Sequence, residues 1–169
     1  MARKSVYYIL LLSFLAISAK AQAYFLFEPG IGYNRGHYQT QKLQGIGLTA
    51  KLGVEFTKFF IAGDVGYHDL QLGSTPTSTQ TDFGVALGGD FKQWKFWFTY
   101  LASATLSVES GSTTNEYSGD GIKLGIGGLV GKDAYLNLEV RFIDITEANG
   151  SPVTQFIDAG LLSISWKVL

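Results

Sequence analysis

Bulky apolar residues occupy every second position in eight stretches of this chain, and the positions between them carry glycine, other small residues or isolated charges. A period of two is the spacing of side chains along an extended strand, so each stretch presents one bulky face and one small face. Residues 45–56 show it plainly. Ile46, Leu48, Ala50, Leu52, Val54 and Phe56 share one face, and Gly45, Gly47, Thr49, Lys51, Gly53 and Glu55 share the other. The 21 glycines and 3 prolines fit many strands and turns and argue against helices.

A segment of a different kind precedes the first strand. Arg3 and Lys4 lead into an apolar run from Val6 to Ile17, and Ala19-Lys20-Ala21 or Ala21-Gln22-Ala23 supplies small residues for cleavage. Residues 1–23 therefore read as an export signal, cut after Ala21 or Ala23. The run is too short for a membrane-spanning helix, which needs about 20 apolar residues. Residues 24–169 are left as one domain. The chain has no cysteine, so neither a disulfide framework nor a thiol-linked lipid is available to it outside the cytoplasm. Taking Arg3, Lys4 and Lys20 from the 13 basic residues leaves 10 against 14 acidic ones, a balance that gives no reason to expect a nucleic-acid partner.

Turn signals divide the domain into strands at 24–34, 43–56, 59–71, 81–91, 94–109, 121–131, 134–146 and 153–168. Three connections are short: Thr57-Lys58, Lys92-Gln93 and a turn around Gly131-Lys132-Asp133. The other four, 35–42, 72–80, 110–120 and 147–152, are longer and rich in polar residues. Short and long connections alternate, so all the tight turns fall at one rim and all the long loops at the other. That polarity, with an even strand count, is the pattern of an up-and-down membrane barrel.

The composition of the small face separates a membrane barrel from a soluble sandwich, which would also hide one apolar face. A sheet that shows its minor face to water carries many Lys, Glu, Gln and Thr. Here that face is mostly Gly, Ala, Ser and Thr, as at Gly84, Ala86 and Gly88 opposite Phe83, Val85 and Leu87. Small residues suit the narrow interior of an eight-stranded barrel, which side chains can fill. The bulky set then faces lipid. Phe56, Phe59, Phe91 and Trp94 would form an aromatic girdle at the tight-turn rim, and Tyr33, Tyr67 and Phe156 a second one. In the fifth strand Trp94, Phe96, Phe98, Tyr100, Ala102, Ala104, Leu106 and Val108 would all face outward, against Lys95, Thr99, Ser103, Thr105 and Ser107.

These features resemble the small bacterial outer-membrane β-barrels typified by the OmpA membrane domain and OmpX. The likeness covers essentially all of residues 24–169. It is carried by the leader, by the opening strand Tyr24-Phe25-Leu26-Phe27-Glu28-Pro29-Gly30-Ile31-Gly32-Tyr33, and by the closing Ser163-Ile164-Ser165-Trp166-Lys167-Val168-Leu169. The resemblance implies an all-β, eight-stranded antiparallel transmembrane barrel in the bacterial outer membrane. It also implies outer-membrane lipids and lipopolysaccharide as surroundings, and barrel-assembly machinery and periplasmic chaperones as partners in biogenesis. In that family the last strand carries the assembly signal, here Ile164, Trp166 and Val168 followed by Leu169. Members usually end on a terminal aromatic, and this chain does not.

The small face carries Glu28, Lys51, Glu55, Asp64, Asp82, Asp90, Lys95, Lys123, Glu139 and Arg141. A two-residue turn at Thr57-Lys58 pairs Phe56 with Phe59 and sets Lys51 opposite Asp64, and the turn at Lys92-Gln93 sets Asp90 opposite Lys95. The third turn needs an odd number of residues, because the sixth strand carries its small set at odd positions and the seventh carries Asn137, Glu139 and Arg141 at odd positions too. Charges inside a narrow barrel must be paired. The expectation is an ion-pair network, with Glu28, Lys51, Asp64, Glu139 and Arg141 as its middle layer; a small hydrated pore is the alternative.

Nothing in the sequence forms a catalytic constellation, a cofactor site or a metal cluster. Barrel deacylases would have His and Ser two positions apart, but Gln39 follows His37 and Leu70 follows His68. Gly45-Ile46-Gly47 continues as a strand instead of opening a helix, which excludes a dinucleotide loop. Asn149-Gly150-Ser151 reads as a turn. The sequence names no external ligand, and a non-enzymatic structural role or surface interaction through the long polar loops is expected, with a small ion or solute channel as the alternative and a lipid-modifying outer-membrane enzyme as a third.

Overall fold

The computed structural model describes residues 23–73 and 75–168. The expected export signal, residues 1–23, lies outside the described residues except for Ala23, as do Ser74 and Leu169. Eight strands follow in chain order: β1 (Ala23–Tyr38), β2 (Gln41–Phe56), β3 (Phe59–Leu72), β4 (Thr75–Phe91), β5 (Trp94–Ser110), β6 (Thr113–Leu129), β7 (Ala134–Ala148) and β8 (Ser151–Trp166). Each pairs antiparallel with the next, and β8 pairs with β1 to close the barrel. Stepping across the ladders from Tyr24 through Glu55, Phe60, Gly88, Trp97, Gly125, Glu139 and Leu161 leads back to β1 at Asn34. The circuit returns ten positions along the strand (24 to 34), so the strands are tilted and residues at one height come from different depths of the sequence.

The tight turns match the sequence reading. Phe56 pairs with Phe59 and Phe91 with Trp94, and Leu129 pairs with Tyr135 across an odd-numbered connection, residues 130–134. The four connections expected to be long are different. Strands continue through most of those segments, and the hairpins close around Gln39-Thr40, Gly73, Gly111-Ser112 and Asn149-Gly150. The residues there are polar but suited to extended backbone, being rich in Thr, Ser, Gln and Tyr. Polarity marks where the outward face ceases to be apolar, not where the strands stop. Asn149 and Gly150 both take positive φ, 49° and 79°, which is the twist-matched turn that an Asn-Gly pair favours in a two-residue hairpin.

Polarity inverts along the barrel axis. Nearer the tight turns, Leu52, Val65, Leu87, Phe98, Leu138 and Ile164 project outward and are exposed, while charged and small residues point in. Nearer the other rim, Leu43, Leu70, Leu106, Ile143, Ile145 and Ile157 are buried inside the barrel, and Arg35, Lys42, Asp69, Gln71, Glu116 and Asp144 face out. In β3 the same alternation runs through both zones: Asp64 and His68 point in, and so do Leu70 and Leu72.

In β5 the inversion needs a bulge. Leu101 pairs with Gly121 and Ala104 with Gly119, so one extra residue is accommodated between them. The faces then exchange. Ala104, Leu106 and Val108, expected to face outward, are buried inside the barrel, whereas Ser103 is exposed. A bulge inserts one residue into a strand and moves every later side chain to the opposite face.

Candidate functional site

Polar and charged side chains converge in the barrel interior. At the tight-turn mouth Lys167 reaches Glu55 at 2.5 Å and Asp90 at 3.4 Å, and Tyr135 donates to Asp90 at 3.0 Å. Deeper in, Lys95 pairs with Glu28, which also accepts from Ser165 at 2.8 Å, and Asn137 donates to that serine at 2.7 Å. Lys95 lies 4.8 Å from the centre of the Phe60 ring. Above it Lys51 contacts Glu139 at 3.5 Å and lies 4.4 Å from the centre of the Trp97 ring, whose Nε1 donates to the same carboxylate at 2.9 Å.

The next layer joins Asp64 and Asp82 through Lys123, at 3.3 and 2.7 Å, with Thr99 donating to Asp64 at 2.8 Å. Asp82 also holds Arg141 at 3.3 Å and His68 at 3.1 Å. Asn34 completes this group, accepting from Arg141 Nη2 at 2.8 Å and lying 3.0 Å from His68 Nδ1. His68 Nε2 also lies 2.6 Å from Arg141 Nη1, so the imidazole is held between an amide, a guanidinium and a carboxylate.

Four deep acids, Glu28, Asp64, Asp82 and Glu139, thus face four deep bases, Lys51, Lys95, Lys123 and Arg141. All eight are buried. Balance of this kind is what allows charge to be held out of water, and removal of one partner leaves another uncompensated.

The hairpin registers set Lys51 opposite Asp64 and Asp90 opposite Lys95. The ion pairs nevertheless run elsewhere: Lys51 to Glu139 on β7, Lys95 to Glu28 on β1, and Asp90 to Lys167. In a closed narrow barrel, inward side chains point toward the axis, so a long lysine meets a carboxylate across the interior more readily than one beside it. The five residues expected as one middle layer are divided among three groups: Glu28 with Lys95, Lys51 with Glu139, and Asp64 and Arg141 in the group around Asp82.

Several members of these groups are absent from the sequence reading of the charged network. Lys167 lies between Trp166 and Val168, and Trp97 between Phe96 and Phe98; strict alternation assigns both to the inner face. His68 and Asn34 share parity with Asp64 and Glu28 in their strands. Glycine makes the space. A Cβ on Gly125 would lie 2.0 Å from the Trp97 ring, and one on Gly47 would lie 2.4 Å from His68 Nδ1.

The outer layer of the interior is apolar. Leu43, Leu70, Leu101, Leu106, Ile143 and Ile157 form its centre, with Tyr38 and Tyr117 packed at 5.4 Å between ring centroids. Burial pushes the Tyr38 phenol above its ordinary range, and the neighbouring Tyr117 adds to the shift. Ser78 and Gln80 are also fully buried at this level.

On the outside, Phe59, Phe91 and Trp94 are exposed near the tight turns and Phe56 is half-buried; Phe59 and Phe91 meet edge-on at 6.2 Å. Tyr33 and Tyr67 are exposed at the upper edge of the apolar belt, and Phe156 stacks on Phe142 at 6.2 Å. Ile164, Trp166 and Val168 project outward together, and Val168 closes the seam by donating to the Phe27 carbonyl at 2.8 Å. His37 is exposed and 3.6 Å from Asp158. Among the described residues no group of three potential metal ligands converges.

A closed, all-antiparallel barrel of eight strands with inward charges and an outward apolar belt has the fold of the small outer-membrane β-barrels. The crystal structure of neisserial surface protein A matches with a TM-score of 0.60 and 15% identity, over 87% of this chain and 99% of that one. The attachment invasion locus protein Ail of Yersinia pestis matches with a TM-score of 0.55 and 7% identity, over 88% and 99% respectively. Its backbone structure in a phospholipid nanodisc gives 0.51 and 9%, over 86% and 100%. At these identities the likeness is one of fold. No family profile matches the sequence, and no curated protein does.

Proposed function

We propose that the chain is a non-enzymatic integral protein of the bacterial outer membrane, with a lumen closed by its own side chains and a structural or surface-interaction role. The inversion of polarity along the barrel carries this reading. An outward belt that includes Ile31, Leu52, Val65, Leu87, Phe98 and Leu138 would be costly in water and is at home in lipid. Beyond the belt the exterior turns polar, while the interior changes from ion pairs to an apolar core. The first zone fits a bilayer, and the second fits a water-exposed stub stabilised like a soluble barrel.

Two barriers lie in series within the lumen: the balanced ion pairs, and above them the cluster around Leu43, Leu106 and Ile157. The channel alternative would have to breach both. Surface interaction would use the rigid outer sheet face and its two-residue turns. Phe59, Phe91, Trp94, Tyr33 and Tyr67 would anchor the belt at lipid headgroups, with lipopolysaccharide among the neighbouring lipids. Ile164, Trp166 and Val168 would engage the assembly machinery after chaperoned transit, following export and cleavage of the leader.

The absence of native cysteine makes a direct test simple. Single cysteines at Leu48 and Leu87 should resist a water-soluble maleimide in membranes, and cysteines at Ser103 and Thr105 should react. Equal reactivity of all four, or extraction of the wild-type chain without detergent, would contradict membrane insertion.

A further inference from the structure

A furrow on the outside of β6 opens beside the most basic part of the tight-turn rim. On the outward row at this height Trp94 pairs with Gly128, and Gly128 with Leu136. Glycine between two large side chains leaves a notch, and the notch is part of a groove of about 660 Å³ lined by Gln93, Trp94, Gly128, Val130, Gly131 and Leu136. Toward the middle of the belt a second, apolar groove of about 370 Å³ continues along the same strand between Phe96, Leu124, Ile126, Leu138 and Val140.

Neither the backbone nor local packing requires glycine at the notch. Gly128 and Gly131 lie outside the positive-φ residues, and a Cβ on Gly128 would meet nothing nearer than Trp94 Cζ3 at 3.4 Å. The missing side chain leaves room on the lipid-facing surface.

At its rim end the furrow adjoins the mouth of the barrel, a cavity of about 520 Å³ whose lining includes Lys58, Lys92, Lys132 and Lys167 together with Glu55, Asp90 and Asp133. Leu129 borders both spaces. Lys167 is committed to Glu55 and Asp90, whereas Lys58, Lys92 and Lys132 enter no ion pair among the described residues. Lys92 and Lys132 are the chain neighbours of Gln93 and Gly131, which line the groove itself. Positive charge therefore flanks the point where an apolar track meets the membrane surface.

We infer that this furrow is a binding site for an anionic phospholipid of the leaflet at the tight-turn rim. The phosphate group would lie against Lys92 and Lys132, and one acyl chain would lie in the notch over Gly128 and along β6. Charge complementarity selects the headgroup, and the length of the apolar furrow selects an amphiphile over a free anion. The assignment rests on the membrane reading above.

The test uses the detergent-extracted full chain, folded as judged by its changed mobility on boiling, with native mass spectrometry to count bound lipid. Phosphatidylglycerol is compared with phosphatidylcholine of the same acyl chains. The wild type should retain phosphatidylglycerol about tenfold more strongly, as two nearby lysines at a membrane surface warrant. The Lys92→Gln/Lys132→Gln double variant should lose the preference, and Lys58→Gln should keep it. Gly128→Val fills the notch without removing charge and should lower phosphatidylglycerol occupancy while leaving the folded mobility intact. Equal retention of the two lipids, unchanged occupancy in Gly128→Val, or displacement by inorganic phosphate at equal concentration would overturn the site. Those results on a chain that still needs detergent for extraction leave membrane insertion standing; solubility without detergent removes both.

Discussion

Asp82 binds Lys123, His68 and Arg141 from β6, β3 and β7, so one carboxylate joins three strands that are not all neighbours in the sheet. Its removal leaves the buried Arg141 without an ion pair and Lys123 with Asp64 alone, and Asp82→Ala should destabilise the folded barrel by about 3–5 kcal/mol. Urea unfolding in micelles, followed by tryptophan fluorescence, measures the loss. Gly125 is a second sensitive position. Valine there drives into the Trp97 ring, and an overpacked site of this kind should cost about 1–3 kcal/mol, with partial recovery in Gly125→Val/Trp97→Ala. The charged residues of the interior were legible from parity alone, because a strand that exposes Leu52 must turn Lys51 inward. Their partners were not legible. Parity gives a side chain's face, but contacts across a closed barrel depend on tilt and stagger, which no single strand encodes.

The strands invert from lipid-type to water-type patterning in two ways, and the sequence disclosed one of them. In β3 and β7 the inward parity simply changes chemistry, from Asp64 and His68 to Leu70 and Leu72, and from Glu139 and Arg141 to Ile143 and Ile145. In β5 apolar residues keep every second place through Val108, so the bulge beyond Leu101 leaves no mark on the pattern. Deletion of Ala102 removes the extra residue and leaves Leu106 and Val108 an even number of places from Leu101, so they stay on the inner face of an unbulged strand. The expected result is that a heat-modifiable folded band still forms; its loss would show that the bulge itself is required. The turn at Asn149-Gly150 is a smaller element with a clear sequence signal. Gly150 stands at φ 79°, and Gly150→Val should cost about 1–2 kcal/mol in the same unfolding assay. The polar stretches between the apolar strands read as loops because the outward-apolar period-two pattern fades there. The hairpin extensions are apolar inside and polar outside, the reverse of the belt, and so appear as a break in that pattern.

At the scale of the whole molecule, the interior contains a balanced electrostatic layer and an apolar layer in series. Single substitutions in the first layer should weaken the fold before they open a path, because Leu43, Leu70, Leu106 and Ile157 still fill the outer end. Arg141→Ala should therefore show reduced stability with no steady conductance. Architecture was the most legible level in the sequence, since strand count and turn parity pointed the same way; physiological role was the least, because no catalytic or ligand motif stands out in the sequence. The most direct measurement is single-channel recording of the folded full chain in planar bilayers. A closed interior predicts insertion without discrete, reproducible openings, and steady unit conductance in the wild type would contradict it.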